Sequence, residues 1–201
     1  MADRLLALRL GSPILVLAIP NGGLAVAAPI AEALHAQLDA IIVRKLQIPY
    51  NTEAGFAALT SFGKLILNEP LVRQIGLTKQ DIDLVRIKTE KQIVDRKKAY
   101  AGLVGRSDPK GKHVIFVDDG LASGYTMLAA VESLRDFEPS SITVAVPTSS
   151  GGAADMIGEV VDLLVCPRIE RGPMFAVANA YENWYDVPDS EVVDILKRFV
   201  S

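Results

Sequence analysis

Cysteine, tryptophan and histidine are scarce in this 201-residue chain: Cys166 and Trp184 stand alone, and the histidines are His35 and His113. A lone thiol closes no internal disulfide and builds no cysteine-rich zinc site, which fits a reducing, cytoplasmic setting. Cys166 reads as a small apolar residue packed at the end of a strand. One histidine falls on an early helix and the other at the entrance of a strand. Without a Gly-x-Ser-x-Gly elbow, they argue against a serine hydrolase. An excess of one charge is missing too. Lys and Arg number 21 against 24 Asp and Glu, so bulk charge supplies no nucleic-acid surface. A phosphate-bearing ligand would have to be held by local amides and a few placed cations. Nor is there an unbroken apolar span for a membrane. Residues 13–31 carry no charge, and Ala25-Val26-Ala27 mimics a signal-peptidase site. Pro20, Asn21, Gly22, Gly23 and Pro29 interrupt that stretch, which reads better as strand, turn and helix of a core.

Half of the residues are apolar, enough for one α/β domain over residues 1–201 with its own core. Pro13–Ile19 reads as a strand, residues 20–23 as a tight turn and Leu24–Gln37 as a small-residue helix. Asp39–Leu46 reads as a second strand and 47–61 as irregular, with Lys64–Leu67 a short strand, half of a hairpin with Ala57–Ser61. Asn68 caps a short helix. Thr78-x-x-Asp81 resembles a capping box and opens a helix to about Ala101, whose mixed charges read as a solvated outer face. Further strands fall at Val114–Val117, Ser141–Val146 and Asp162–Cys166, with a helix ending near Phe137 and another at Gly152–Gly158. Ser190 caps a last helix to Phe199. Strands separated by helices imply parallel pairing through right-handed crossovers, so the fold class is α/β: a Rossmann-like sheet of about five strands flanked by helices. Ligands in such sheets sit at the carboxyl ends of the strands. The loops after Ile19, Lys45, Val117 and Val146 should therefore converge.

Residues 114–127 carry the strongest functional signal. An apolar strand runs directly into Asp118 and Asp119, then Gly120, Leu121, Ala122, Ser123, Gly124, Tyr125 and Thr126, then a helix. Backbone N–H groups at a helix N-terminus, reached through a glycine-containing loop, close on a phosphate. Carboxylates just upstream suit vicinal sugar hydroxyls. The plain alternative is an acidic β–α turn capped by Ser123.

This stretch resembles the 5-phosphoribosyl-1-pyrophosphate (PRPP) motif of the type I phosphoribosyltransferases: apolar strand, two acids, short loop, Ser or Thr, Gly, any residue, Thr. Ala122 and Gly120 depart from it, where a hydroxyl and an aliphatic residue are usual. Lys45-Leu46, Asn51-Thr52-Glu53, Leu67-Asn68-Glu69, Arg96–Tyr100 and Tyr181-Glu182 extend the likeness to a group of bacterial and archaeal phosphoribosyltransferases predicted from sequence. The resemblance implies a type I fold with a flexible loop at 47–61 and a small hood at 167–201. It implies transfer of a phosphoribosyl group from Mg²⁺-PRPP to an unidentified base or amine, with pyrophosphate released. Mg²⁺ would be carried mainly by PRPP oxygens and water rather than by a protein metal site. Asp118 and Asp119 would hold the ribose hydroxyls and residues 120–126 the 5-phosphate. Asn21, Gly22 and Gly23 would form the pyrophosphate turn, which by itself is also an ordinary β–α turn. Arg44 or Lys45 would reach the pyrophosphate; strand alternation predicts only one in the cleft, and Lys45 is the nearer to the loop. Glu53 would bind metal, stabilise cationic charge or be a plain loop acid. Thr148–Ser150 would lie beside the sugar or the nucleophile, and Tyr181, Trp184 and Tyr185 would form an acceptor hood or simple packing. A homodimer is an allowed assembly. A PRPP-binding regulator without catalysis is the rival function.

Overall fold

The computed structural model describes the chain except Ser12, Tyr50, Ala101, Pro173, Ser201 and the side chains of residues 51–54. In chain order, its elements begin with α1 (Ala2–Ala7), β1 (Ile14–Ala18), α2 (Gly22–Leu34), β2 (Gln37–Ala40), β3 (Val43–Ile48), β4 (Asn51–Thr60) and β5 (Leu65–Leu67). Then follow α3 (Glu69–Ile75), α4 (Lys79–Ala99), β6 (His113–Val117), α5 (Tyr125–Leu134), β7 (Ser141–Ala145), β8 (Thr148–Ser150) and α6 (Gly151–Gly158). Short strands β9 (Leu163–Val165) and β10 (Arg168–Glu170) and the helix α7 (Asp189–Arg198) close the chain.

The central sheet is parallel, five strands in the order β2-β1-β6-β7-β9. Alternation along β1 separates two cores. Val16 and Ala18 join Leu24, Ala27, Ile195 and Leu196 on one face. Leu15 and Leu17 join Met127, Ala130, Leu134 and Ile157 on the other. The sheet is thus covered on both sides, as short apolar parallel strands require. From β1 the chain moves outward to β2, then crosses back so that β6 lies on β1's other flank. That reversal opens a crevice between the carboxyl ends of β1 and β6.

The expected second strand, Asp39–Leu46, is two strands. Ile41 and Ile42 are buried between them; Ile41 N–H still bonds Ala18 in the parallel sheet, while the Ile42 carbonyl accepts Ser61 N–H. The chain changes sheets there. From Val43 it enters an antiparallel sheet of order β3-β4-β5. The segment 47–61 is consequently a β-hairpin arm with irregular register near Gln47 rather than irregular coil. Burial of the run Phe56–Thr60 overrides the Pro49, Asn51 and Gly55 signals. The Thr78–Asp81 capping box is present, and α4 stops at Ala99. Pro188, not Ser190, sits at the N-cap of α7. Ser150 caps α6. The strands β8 and β10 pair in a small separate sheet that the sequence pattern did not announce.

Asp39, 2% exposed, holds the α4–β6 connection against β2. Its carboxylate accepts the N–H groups of Ala40 at 2.7 Å, Gly105 at 2.8 Å, Arg106 at 2.7 Å and Ser107 at 2.8 Å. We expect Asp39→Ala to lower the unfolding free energy by about 2–4 kcal/mol, and Asp39→Asn by less, because the amide keeps one acceptor. Urea unfolding measures both.

Candidate functional site

The crevice between β1 and β6 is a cleft of ≈ 410 Å³. Its floor is the turn after β1 and the loop after β6, and its side is β3. Asn21, Gly22, Arg44, Lys45, residues 118–124 and Thr126 all line it. Of the residues singled out by sequence, Gly23 and Tyr125 do not. The side chain of Glu53 lies outside the described residues. Val43, Gln92 and Val177 also line the cleft.

The two loops touch because the turn has no side chains at 22 and 23. A Cβ on Gly22 would stand 2.1 Å from Asp119 Oδ2, and one on Gly23 2.8 Å from the Val117 carbonyl. Glycine here allows close approach of the chain to the acids. Gly124 has φ +79°, where a side chain is strained. A Cβ there would meet Met156 and Ala153 of α6, so it is the helix behind the loop, not the cleft, that excludes a side chain.

Two helices begin at this cleft without a side-chain cap: α2 behind Asn21 and α5 behind Gly124. The capped-turn reading through Ser123 therefore fails. Uncapped first-turn amides and the positive ends of helix dipoles are chemically suited to anions. The loop is anchored from behind. Leu121 N–H donates to the Thr148 carbonyl at 3.0 Å, and Ser150 N–H to the Leu121 carbonyl at 2.9 Å. The Ser150 hydroxyl donates to the Ala122 carbonyl at 2.6 Å. Thr148 and Ser150 thus brace the loop.

Asn21 gives its side chain to the scaffold. Its Nδ2 donates to the Val187 carbonyl at 2.7 Å and to Asp189 Oδ1 at 2.9 Å. Its Oδ1 accepts from Arg96 at 2.8 Å and from the Tyr100 hydroxyl at 2.8 Å. These bonds use the full capacity of the amide, leaving only backbone for the cleft. Arg96 also pairs with Asp189. The spacing of Arg96 and Tyr100, one turn apart, was the signal available in sequence; the surrounding charges masked it.

Both basic residues of β3 reach the cleft, which corrects the expectation of one. They do different things. Lys45 draws down the proton affinity of Asp118 and Asp119. Arg44 lies by the Asn21 cluster, where burial and then the Arg96 charge push its own pKa down. In the tail, the Tyr181 hydroxyl donates to the Asp119 carbonyl at 2.7 Å. Burial, then the Asp119 and Asp118 charges, push the phenol up, so it stays protonated as a donor. Trp184 meets the Tyr181 ring edge-on at 5.2 Å. Tyr185 instead bonds Glu191.

Burial first, and then the neighbouring Asp119 charge, push Asp118 well above the usual 3.8; burial raises Asp119 as well. A carboxyl whose folded pKa is raised favours the folded state below its unfolded pKa and loses that advantage as pH rises through the folded value. We therefore expect Asp118→Asn to raise the thermal midpoint of the empty protein at neutral pH. The gain should shrink on acidification and vanish below about pH 3.8. Thermal melts across pH read this directly.

The model of the phosphoribosyl transferase domain family matches residues 3–167. Two relatives from Mycobacterium tuberculosis, named "Putative phosphoribosyl transferase Rv0571c" and "Putative phosphoribosyl transferase MT0597", are 33% identical over 201 residues, 98% of this chain and 45% of their own. The chain spans about half the length of these curated relatives. The crystal structure of TT1426 from Thermus thermophilus has a TM-score of 0.80 at 28% identity, covering 100% of this chain and 94% of that one. APRTase from Giardia lamblia, complexed with 9-deazaadenine, has a TM-score of 0.51 at 15% identity over 85% of this chain and 78% of its own, a likeness of fold.

Proposed function

The chain belongs to the phosphoribosyl transferase domain family, and on that premise we propose that it binds Mg²⁺-PRPP and transfers the phosphoribosyl group to a nitrogenous acceptor. One observation carries the reading: two uncapped helix N-termini and a carboxylate pair face a single cleft. A molecule with phosphate at both ends and a diol between them is complementary to that arrangement. The α5 end and residues 120–126 take the 5-phosphate. Asp118 and Asp119 accept the ribose hydroxyls. The backbone of the 20–23 turn, with Lys45 and Arg44, takes the pyrophosphate.

The donor set suits a cation that arrives on the ligand. Asp118 and Asp119 are hard oxygen donors, and no group of three or more acidic, histidine or cysteine side chains among the described residues forms a cage. When bound, Mg²⁺ supplies neutralisation of the pyrophosphate charge. This chain's own part is electrostatic and positional. As the bond from ribose C1 to pyrophosphate lengthens, the sugar gains positive charge beside the Asp pair, and the leaving group gains negative charge beside Lys45 and the α2 N-terminus. Raised carboxyl pKa values are compatible with this, since sugar hydroxyls donating to the pair favour its ionised form. Val43, Leu121 and Val177 supply apolar wall for an acceptor.

The test is pyrophosphate release from PRPP with Mg²⁺ and a panel of bases and amines. Turnover with at least one acceptor is expected, and Asp118→Asn should weaken PRPP binding by on the order of 1.5–3 kcal/mol by calorimetry. PRPP binding without any turnover would replace the enzyme by a PRPP-binding regulator; no PRPP binding would sink both. The hairpin arm of β3 and β4 stands beside the cleft and is proposed as its lid. Hydrogen exchange should show protection gained at 47–61 and 118–126 on adding Mg²⁺-PRPP, with α4 unchanged.

A further inference from the structure

A second cavity, of ≈ 510 Å³, lies beside β2, the edge strand of the parallel sheet, and is of a size for a small molecule. It opens by the amino end of β2, whereas the cleft stands at the carboxyl ends of β1 and β6. Its walls are the end of α2 with the first residues of β2, the α4–β6 connection, and the last turn of α7. Leu38 and Leu196 are buried along it, and Leu103 and Phe199 are half-buried. Arg106 comes from the connection and Arg198 from α7, so two arginines from different elements line one hollow.

The charges there do not cancel. Asp39 is the carboxylate that lines the cavity, and four backbone N–H groups already hold it. That clamp fixes the backbone at Arg106 and Ser107, while Arg198 is rooted on a helix, so both arginines start from rigid positions. The Arg106 side chain has no ion pair or hydrogen bond among the described residues. Arg198 meets Glu32 at 3.4 Å with both side chains more than half exposed, a pair of little worth. Lys112 is drawn to the rim, where its Nζ donates to Gln37 Oε1 at 2.9 Å. The carboxyl ends of α2 and α7 also face this way, and Lys197 and Arg198 in the last turn of α7 offset that helix's dipole. What remains is cationic, and Arg106 carries it without a fixed partner.

We propose that this cavity is a second ligand site, for a small phosphate monoester with an apolar ring, of nucleoside monophosphate size. A phosphate presents oxygens on several sides, so two planar guanidinium forks from different walls can each take a pair. A carboxylate has two oxygens in one plane; it would satisfy one fork and leave the other unpaired. The Ser107 hydroxyl and the Lys112 ammonium are further donors at hand. The ring of the ligand lies against Phe199 and Leu103, which bury its apolar faces. None of these residues belongs to the cleft, so the inference goes beyond the proposed chemistry and stands or falls independently of it.

Calorimetric titration with AMP tests it. The wild-type chain should bind AMP, and Arg106→Gln and Arg198→Gln should each weaken that binding by about tenfold or more, since each removes a charge-assisted fork. Lys45→Gln, in the cleft, should leave the same binding event unchanged. Adenosine, which lacks the phosphate, should bind far more weakly than AMP. Both arginines are exposed, and circular dichroism and melting of each variant confirm that the fold is intact. AMP binding that is lost with Lys45→Gln and untouched by either arginine change would put the nucleotide in the cleft and overturn the proposal. So would the lack of AMP binding at millimolar concentration, or adenosine binding as tightly as AMP.

Discussion

At Gly22 a single added methyl carbon would stand 2.1 Å from the Asp119 carboxylate. The cleft depends on that proximity. It brings the turn after β1 against the acids after β6, and so aims two helix N-termini at one volume. Neither loop sets this distance alone. The parallel pairing of β1 with β6 fixes the strand ends. The Asn21 amide then pins the turn through four hydrogen bonds to α4 and the chain around α7, while Thr148 and Ser150 pin the acidic loop. The backbone that lines the cleft is held by side chains whose hydrogen bonds go to the scaffold.

The acids illustrate a trade between stability and function. Two carboxyls crowded into a partly buried loop resist ionisation, so the empty site costs folding free energy at neutral pH. Lys45 offsets part of that cost from β3. A neutral pair would fold better and grip a diol worse. The same logic covers Arg44, a cation placed among Arg96 and Tyr100 where burial disfavours its charge. A bound anion would relieve the strain on Arg44, and hydroxyl donors that on the acids.

Sequence carried the parallel sheet and the acid-to-helix loop well, because both are local. Short apolar strands, a Gly-containing turn and a capping box announce themselves within a dozen residues. What stayed hidden is long-range. The sheet change at Ile41 and Ile42 looks in sequence like one continuous strand. The hairpin arm hides behind Pro49 and Gly55, whose local preference loses to burial of Phe56–Thr60. Asn21 was readable as a turn residue, but its partners lie 75 to 168 positions away. Thr148 and Ser150 looked like ligand-facing hydroxyls; only the bridge between Leu121 and Ser149 reveals them as supports. Tyr181 could be named as an aromatic of the tail, not as the donor to the Asp119 carbonyl.

That same Tyr181 contact, with the bonds from Asn21 to Val187 and Asp189, has a consequence for the order in which the protein is made. The turn is synthesised early and its partners near residue 187 come late. A nascent chain emerging from the ribosome can pair β1 with β6 once residue 117 is out, yet the floor of the cleft stays unpinned until the tail follows. Contacts this distant along the chain form slowly, since they close large loops. The geometry of the cleft is therefore among the last features to mature.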